Sequence, residues 1–357
     1  MRQRKRTAIG IAVAMLALYL LLFPRGTGEG LQITVRWAAP INAADAATQD
    51  AEVVGRGTPL AFRLADRFGY LSREEGELLL LQEAVYDVAL DDGRFSNYSK
   101  VSQTVVVQDP RGVIVGSIDT EGYPLFFGNR TLVLHPDGST ISEWRSDGAL
   151  MWRYSMPAVY SAIDAAADVT LVGAIDGRMV AVDRSGRELL RYRSRSGRLP
   201  VVAAVALSSD AESAAAMLDI DPQRIVLFRR DGDGYAATAE LELAQSLRRP
   251  PQLRFVSADR LLIWEQPDSL GVVGIDTQTR YTMPLAGRLA HLADIPALDL
   301  LAVVTTDSNE LMLLQLPHGS AVIRLPLAEG ALFLRADDQT VLLGVDDVVV
   351  SYRLESG

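Results

Sequence analysis

Cysteine is absent from the 357 residues, and histidine occurs only at His135, His291 and His318. The first absence removes disulfides, thiolate nucleophiles, cysteine-ligated zinc, iron–sulfur clusters and the acylated cysteine of a lipoprotein. The second leaves no two histidines at the i,i+4 spacing of a zinc-binding helix, although a site made only of carboxylates stays open. Positive charge is short as well. The formal net charge is −10, which argues against nucleic acid as a partner, since a phosphate-backbone binder shows a basic surface. A long amphipathic helix is also missing after the first thirty residues, and with it the helical fold classes.

What is present begins with a targeting pattern. Arg2, Arg4, Lys5 and Arg6 precede seventeen uncharged residues from Thr7 to Phe23, just enough for a membrane span and long for a signal-peptide core. The positive-inside rule keeps such an N-terminus cytoplasmic and exports the remainder. The sequence therefore predicts one transmembrane helix: residues 1–30 form a signal anchor, with 7–23 in the inner membrane and the rest in the periplasm. A removed signal is the alternative, with Gly26 and Gly28 as a poor cleavage site.

Beyond it, one pattern recurs. In "RMVAVDRSGRELLRY" (178–192) a period-two strand meets a polar turn ending in Gly186, and a second strand follows. The same turn is marked by Gly112, Gly148, Gly232, Thr279, Gly319 and Gly357, at intervals of 36, 38, 46, 47, 40 and 38 residues with Gly186 in its place. Repeats of about 40 residues, each with several short strands, signify a β-propeller. The expected architecture is all-β, a seven-bladed β-propeller over 31–357. The chain stops after the third strand of the last repeat, so the orphan strand 31–37 is expected to complete that blade and cover an open edge. Residues 38–66 read as a connection and 67–357 as the blades.

Within "GRMVAVDRSGRELLRY" and the neighbouring "GSTISEWRSDGALMWRY", the chain resembles the pyrroloquinoline-quinone-like, quinoprotein-type propeller repeat. That resemblance gives Gly177, Ala181, Asp183, Gly186 and Tyr192 the repeat's structural places, with Gly148 and Trp152 in the preceding copy. It also implies what to look for: enzymes of the family carry a quinone and Ca²⁺ on the axis, many above a vicinal disulfide that this chain cannot form. Its non-enzymatic members fit better, among them an exported propeller subunit that helps assemble outer-membrane β-barrels through loops at one face. The expectation is therefore no cofactor, no catalytic residues and no metal, in a monomeric scaffold that binds envelope proteins. The alternative is a quinone-dependent dehydrogenase or another enzyme using the axial cleft, with Tyr70, Asp164, Arg254 and His291 converging there.

Two places are candidates for partner contact. Residues 85–102 read as an insertion longer than a hairpin connection and hold Tyr86, Arg94, Phe95 and Tyr98, residue types that anchor interfaces. The same aromatics would serve equally to fold the insertion over the ring. The turns between second and third strands carry Asp137, Asp176, Asp221, Asp268, Asp307 and Asp347, a ring suited to a basic segment or a cation. Aspartate is also a favoured turn residue through bonds to its own backbone, and both readings stand at this point.

Overall fold

The computed structural model describes residues 31–41, 57–194, 199–330 and 332–356. They form eight antiparallel sheets, seven of four strands and one of three, arranged as blades I to VIII. Blade I spans 59–83, II 87–118, III 123–155, IV 160–193, V 202–242, VI 253–284, VII 289–326, and VIII 332–356. Leu31–Pro40 supplies the outer strand of blade VIII, pairing antiparallel with Val348–Ser356 from Leu31 opposite Ser356 to Pro40 opposite Val348. The strand expected at 31–37 is thus the outer strand of the last blade, three residues longer than its pattern suggested.

Faces of neighbouring blades pack on one another, and the core lies between them. Leu171, Ala181 and Leu190 of blade IV meet Val205, Ala214 and Phe228 of blade V. Strand alternation produces this arrangement, because the residues facing each neighbouring blade recur with period two. The blades are also pinned by polar contacts. Arg130 and Glu143, both nearly inaccessible, form a two-pronged pair at 3.0 and 2.7 Å in blade III. Arg130 reaches across to the Thr170 hydroxyl and the Val169 carbonyl of blade IV, while the Trp152 indole donates to Glu143.

The count of seven blades is corrected to eight. The stretch 85–102 is no insertion, since it contains Asp87–Leu90 and Phe95–Tyr98, the two inner strands of a complete blade II. The residues before it form blade I from Pro59–Leu64, Arg67–Ser72 and Leu78–Glu83, so the expected connection 38–66 already holds a strand. Blade I is irregular. Its Arg63 pairs with Asp87 at the start of blade II's inner strand, whereas its Ala61 amide donates to Asp92 beyond that strand's far end. The two strands therefore run antiparallel. In regular neighbours they run parallel, as Ser161 with Val202 and Asp164 with Leu207 show for blades IV and V. The three strands of blade I thus run as the second, third and fourth of a regular blade.

The described residues do not carry the expected transmembrane helix. Among the described residues, no helix is long and apolar enough to cross a membrane, and the helical element there is the three-residue 3-10 turn Pro296–Leu298. A span needs about 20 helical residues. The segment 1–30, with the expected span 7–23, lies outside the described residues.

Candidate functional site

Each blade has two kinds of end. Turns between second and third strands, together with the blade-to-blade links, make a connection face, and the other hairpin turns make the opposite face. On the connection face of blade II the link before Asp87 exposes Val85 and Tyr86, at 70% and 54%, and the turn after Tyr98 exposes Val101 at 84%. Tyr86 rests on Tyr98 and Tyr123, with ring centroids 6.3 and 6.4 Å away, and those two rings lie 6.0 Å apart. Tyr98 is buried, and burial pushes its hydroxyl well above the usual tyrosine range. The result is a rigid aromatic platform with one face in solvent. Val159, Ile175 and Leu199 are also exposed, in the links on either side of blade IV and in its turn between second and third strands.

The other residues expected from this stretch point elsewhere. Phe95 is fully buried against Phe68 and Tyr70 at 5.3 and 6.1 Å. Arg94 lies on the opposite face, where it pairs with Asp91 and donates to the Thr131 hydroxyl and the Gly128 and Arg130 carbonyls. Its guanidinium also covers the Phe126 ring at 4.3 Å. Arg94 therefore docks blade II on blade III.

The six turn aspartates all lie on the connection face and divide evenly. Asp137 accepts from the Ser139 and Thr140 amides and the Thr140 hydroxyl. Burial opposes its ionisation, yet these bonds hold its carboxyl below the usual range. Asp176 pairs with Arg178 at 3.1 Å, and Asp307 accepts the Arg288 amide at 3.1 Å. Asp221, Asp268 and Asp347 are exposed, and among the described residues their carboxylates have no hydrogen-bonding or ionic partner.

Of the four residues expected on the axis, Tyr70, Asp164 and Arg254 are engaged in bonds to the backbone. Tyr70 is buried and donates to the Asp91 carbonyl at 2.9 Å. Asp164 accepts the Leu207 amide at 2.7 Å and Arg254 reaches the Leu292 carbonyl at 3.4 Å. Asp294, which sequence reasoning passed over, accepts the Ser257 amide at 2.7 Å. Burial raises both carboxyls, with Arg254 opposing the rise in each. Burial also lowers the His291 imidazole. Among the described residues, no group of three His, Asp or Glu is placed to hold a metal ion.

Of the residues in the repeat pattern, Gly148 and Trp152 lie in blade III and Gly177, Ala181, Asp183, Gly186 and Tyr192 in blade IV. Gly148, Gly177 and Gly186 have positive φ, which only glycine adopts without strain. Ala181 is inaccessible, Trp152 lies over Gly186, and Tyr192 meets Phe228 edge-on at 5.3 Å.

Comparison with known proteins agrees with this architecture. An uncharacterized protein of Treponema pallidum (strain Nichols) is 21% identical over 244 residues, 68% of this chain. The matched region spans 64% of that relative's length. Among solved structures, BamB from Moraxella catarrhalis superposes with a TM-score of 0.62 at 18% identity, over 91% of this chain and 99% of that one. The computationally designed Ika8 protein gives 0.65 at 17% identity, over 84% and 94%. At these identities the likeness is one of fold. A family model described as beta-propeller protein matches residues 1–356, and the chain belongs to that family.

Proposed function

We propose that this propeller is a protein-binding scaffold whose contact surface is the connection face, centred on blade II. The observation that carries the reading is the exposure of Val85, Tyr86 and Val101 above the buried Tyr98. Contiguous exposed apolar surface on a rigid frame is the mark of an interaction site, and an aromatic held in place by its neighbours makes a low-entropy anchor. The carboxylates of Asp221, Asp268 and Asp347 on the same face suit a basic segment of the partner. Envelope proteins are the partner class that the resemblance to an assembly subunit implies. The pattern at Gly177, Ala181, Asp183, Gly186 and Tyr192 supports reading the repeat as quinoprotein-type, used for its shape alone.

Site-directed crosslinking in cells tests this. A photoreactive side chain at Val101 is expected to capture a defined protein, and the same group at Val322, exposed on the outer strand of blade VII, is expected not to. Tyr86→Ala should reduce the Val101 adduct by roughly tenfold or more, the loss of one buried aromatic anchor. Equal capture from the two positions, or an adduct indifferent to Tyr86→Ala, refutes the reading.

A further inference from the structure

Between the outer strands of blades III and IV, Leu150–Ser155 and Glu188–Arg193, lies a groove that opens toward the connection face. It encloses about 280 Å³ and is lined by Tyr154, Met156, Arg178, Val180, Arg191 and Arg193. Its charge arrangement is unfavourable by itself. Arg178 and Arg193 stand directly opposite one another on paired antiparallel strands, and Val180 stands opposite Arg191 one step further along the same face. Like charges in direct opposition destabilise a sheet. Asp176 pairs with Arg178, and Glu188 with Arg191 at 2.8 Å. Arg191 also donates to the Tyr154 hydroxyl at 3.2 Å. Arg193 is exposed and, among the described residues, has no carboxylate partner. Three guanidiniums thus face two carboxylates over a floor of buried Met156 and Val180, in a chain whose net charge is −10.

A local conflict of this kind, kept in an otherwise consistent fold, marks a functional position. We propose that the groove binds an extended acidic segment of a partner protein, with its carboxylates on Arg193 and Arg178 and an apolar side chain over Met156 and Val180. Guanidinium and carboxylate match in a two-pronged geometry. The groove wall is the outer edge of blade IV, whose unpaired backbone groups suit an extended chain. A small inorganic anion would use the guanidiniums and leave most of the groove unfilled. The inference rests on the scaffold reading in that the ligand is a protein segment, and it adds a second contact of stated chemistry.

The test is a fluorescence anisotropy titration of the full chain with a labelled peptide of alternating Glu and Leu, beside its twin with Gln for Glu. The Glu peptide is expected to bind, more weakly as salt is raised. The Gln twin, and the Arg193→Glu variant with the Glu peptide, should each bind at least about tenfold more weakly, the worth of a charge-assisted hydrogen bond. Arg193→Gln, which introduces no new charge at this exposed position, should fall in the same direction. Equal affinity for the two peptides, no binding of either, or indifference to both Arg193 variants overturns the proposal. Complete displacement of the Glu peptide by millimolar inorganic phosphate also overturns it and assigns the groove to a free anion. Crosslinking at Val101 probes blade II, so failure there leaves this result standing and the converse holds.

Discussion

Asp183 ends the third strand of blade IV and closes the turn that follows. It accepts the Ser185 and Arg187 amides at 2.9 and 3.0 Å and the Ser185 hydroxyl at 2.6 Å, and pairs with Arg187 at 3.1 Å. Burial opposes ionisation, but the hydrogen bonds outweigh it and hold the carboxyl down to about 2, from 3.8. A depressed folded-state value means stability that is present above the unfolded pKa and lost as pH falls through the folded one. Allowing for solvent screening, the contribution is about 1 kcal/mol. The Tm gap between the protein and Asp183→Ala should therefore be full near pH ~6 and close between pH ~4 and ~2. A gap constant across that window shows that the turn does not depend on the charge. This residue was legible in the sequence because its bonds are local, within four positions. Arg94 was not, because its partner Thr131 lies 37 positions away in another blade. Residue type alone does not say whether an arginine meets a partner protein or the next sheet.

At the scale of the element, Gly76 is the repeat mark that went unrecognised. It precedes Gly112 by 36 residues, the same interval that separates Gly112 from Gly148. Like them it has positive φ, +73°. Gly76 lies against Trp37 on the outer strand of blade VIII, as Gly186 lies against Trp152 on the outer strand of blade III. One rule thus holds at both junctions: the turn glycine of a blade makes room for an aromatic on the preceding blade's outer strand. The signal was masked by "SREEGE", whose charges read as a loop, and by blade II, whose short inner strands of four residues each left little period-two pattern. A Cβ at position 76 would sit 2.4 Å from the Trp37 ring in a conformation unfavourable for L-residues. Gly76→Ala is expected to cost about 2 to 4 kcal/mol, the sum of left-handed strain and overpacking. A urea midpoint unchanged by the substitution, at constant m-value, would show that Trp37 does not hold this junction. Gly232→Ala is the comparison, since nothing lies within 4 Å of its Cβ position and only the strain term applies.

At the scale of the whole molecule, the ring closes through residues at the two ends of the described chain, with Leu31 opposite Ser356. Closure was legible because a strand lacking a partner at one end matched a blade lacking a strand at the other. The number of blades was not, because it depends on blade I, whose reversed strand direction relative to blade II leaves no trace in hydropathy. The closing strand has two separate jobs. It covers the edge of Val348–Ser356, and it brings Trp37 and Ala39 onto Leu60, Phe62 and Leu64 of blade I. A chain beginning at residue 41 would lose both, leaving a long unpaired edge beside uncovered apolar surface, the combination that templates association between chains. A chain beginning at residue 31 keeps both. Size-exclusion chromatography with light scattering is therefore expected to find the longer form monodisperse and the shorter one in large or heterogeneous species. Adding the peptide Leu31–Pro40 in trans should restore part of the compact fraction, since strand addition supplies the same backbone bonds. If the two chains elute alike, the ring is held by its blade-to-blade packing alone, and the terminal strand contributes nothing to closure.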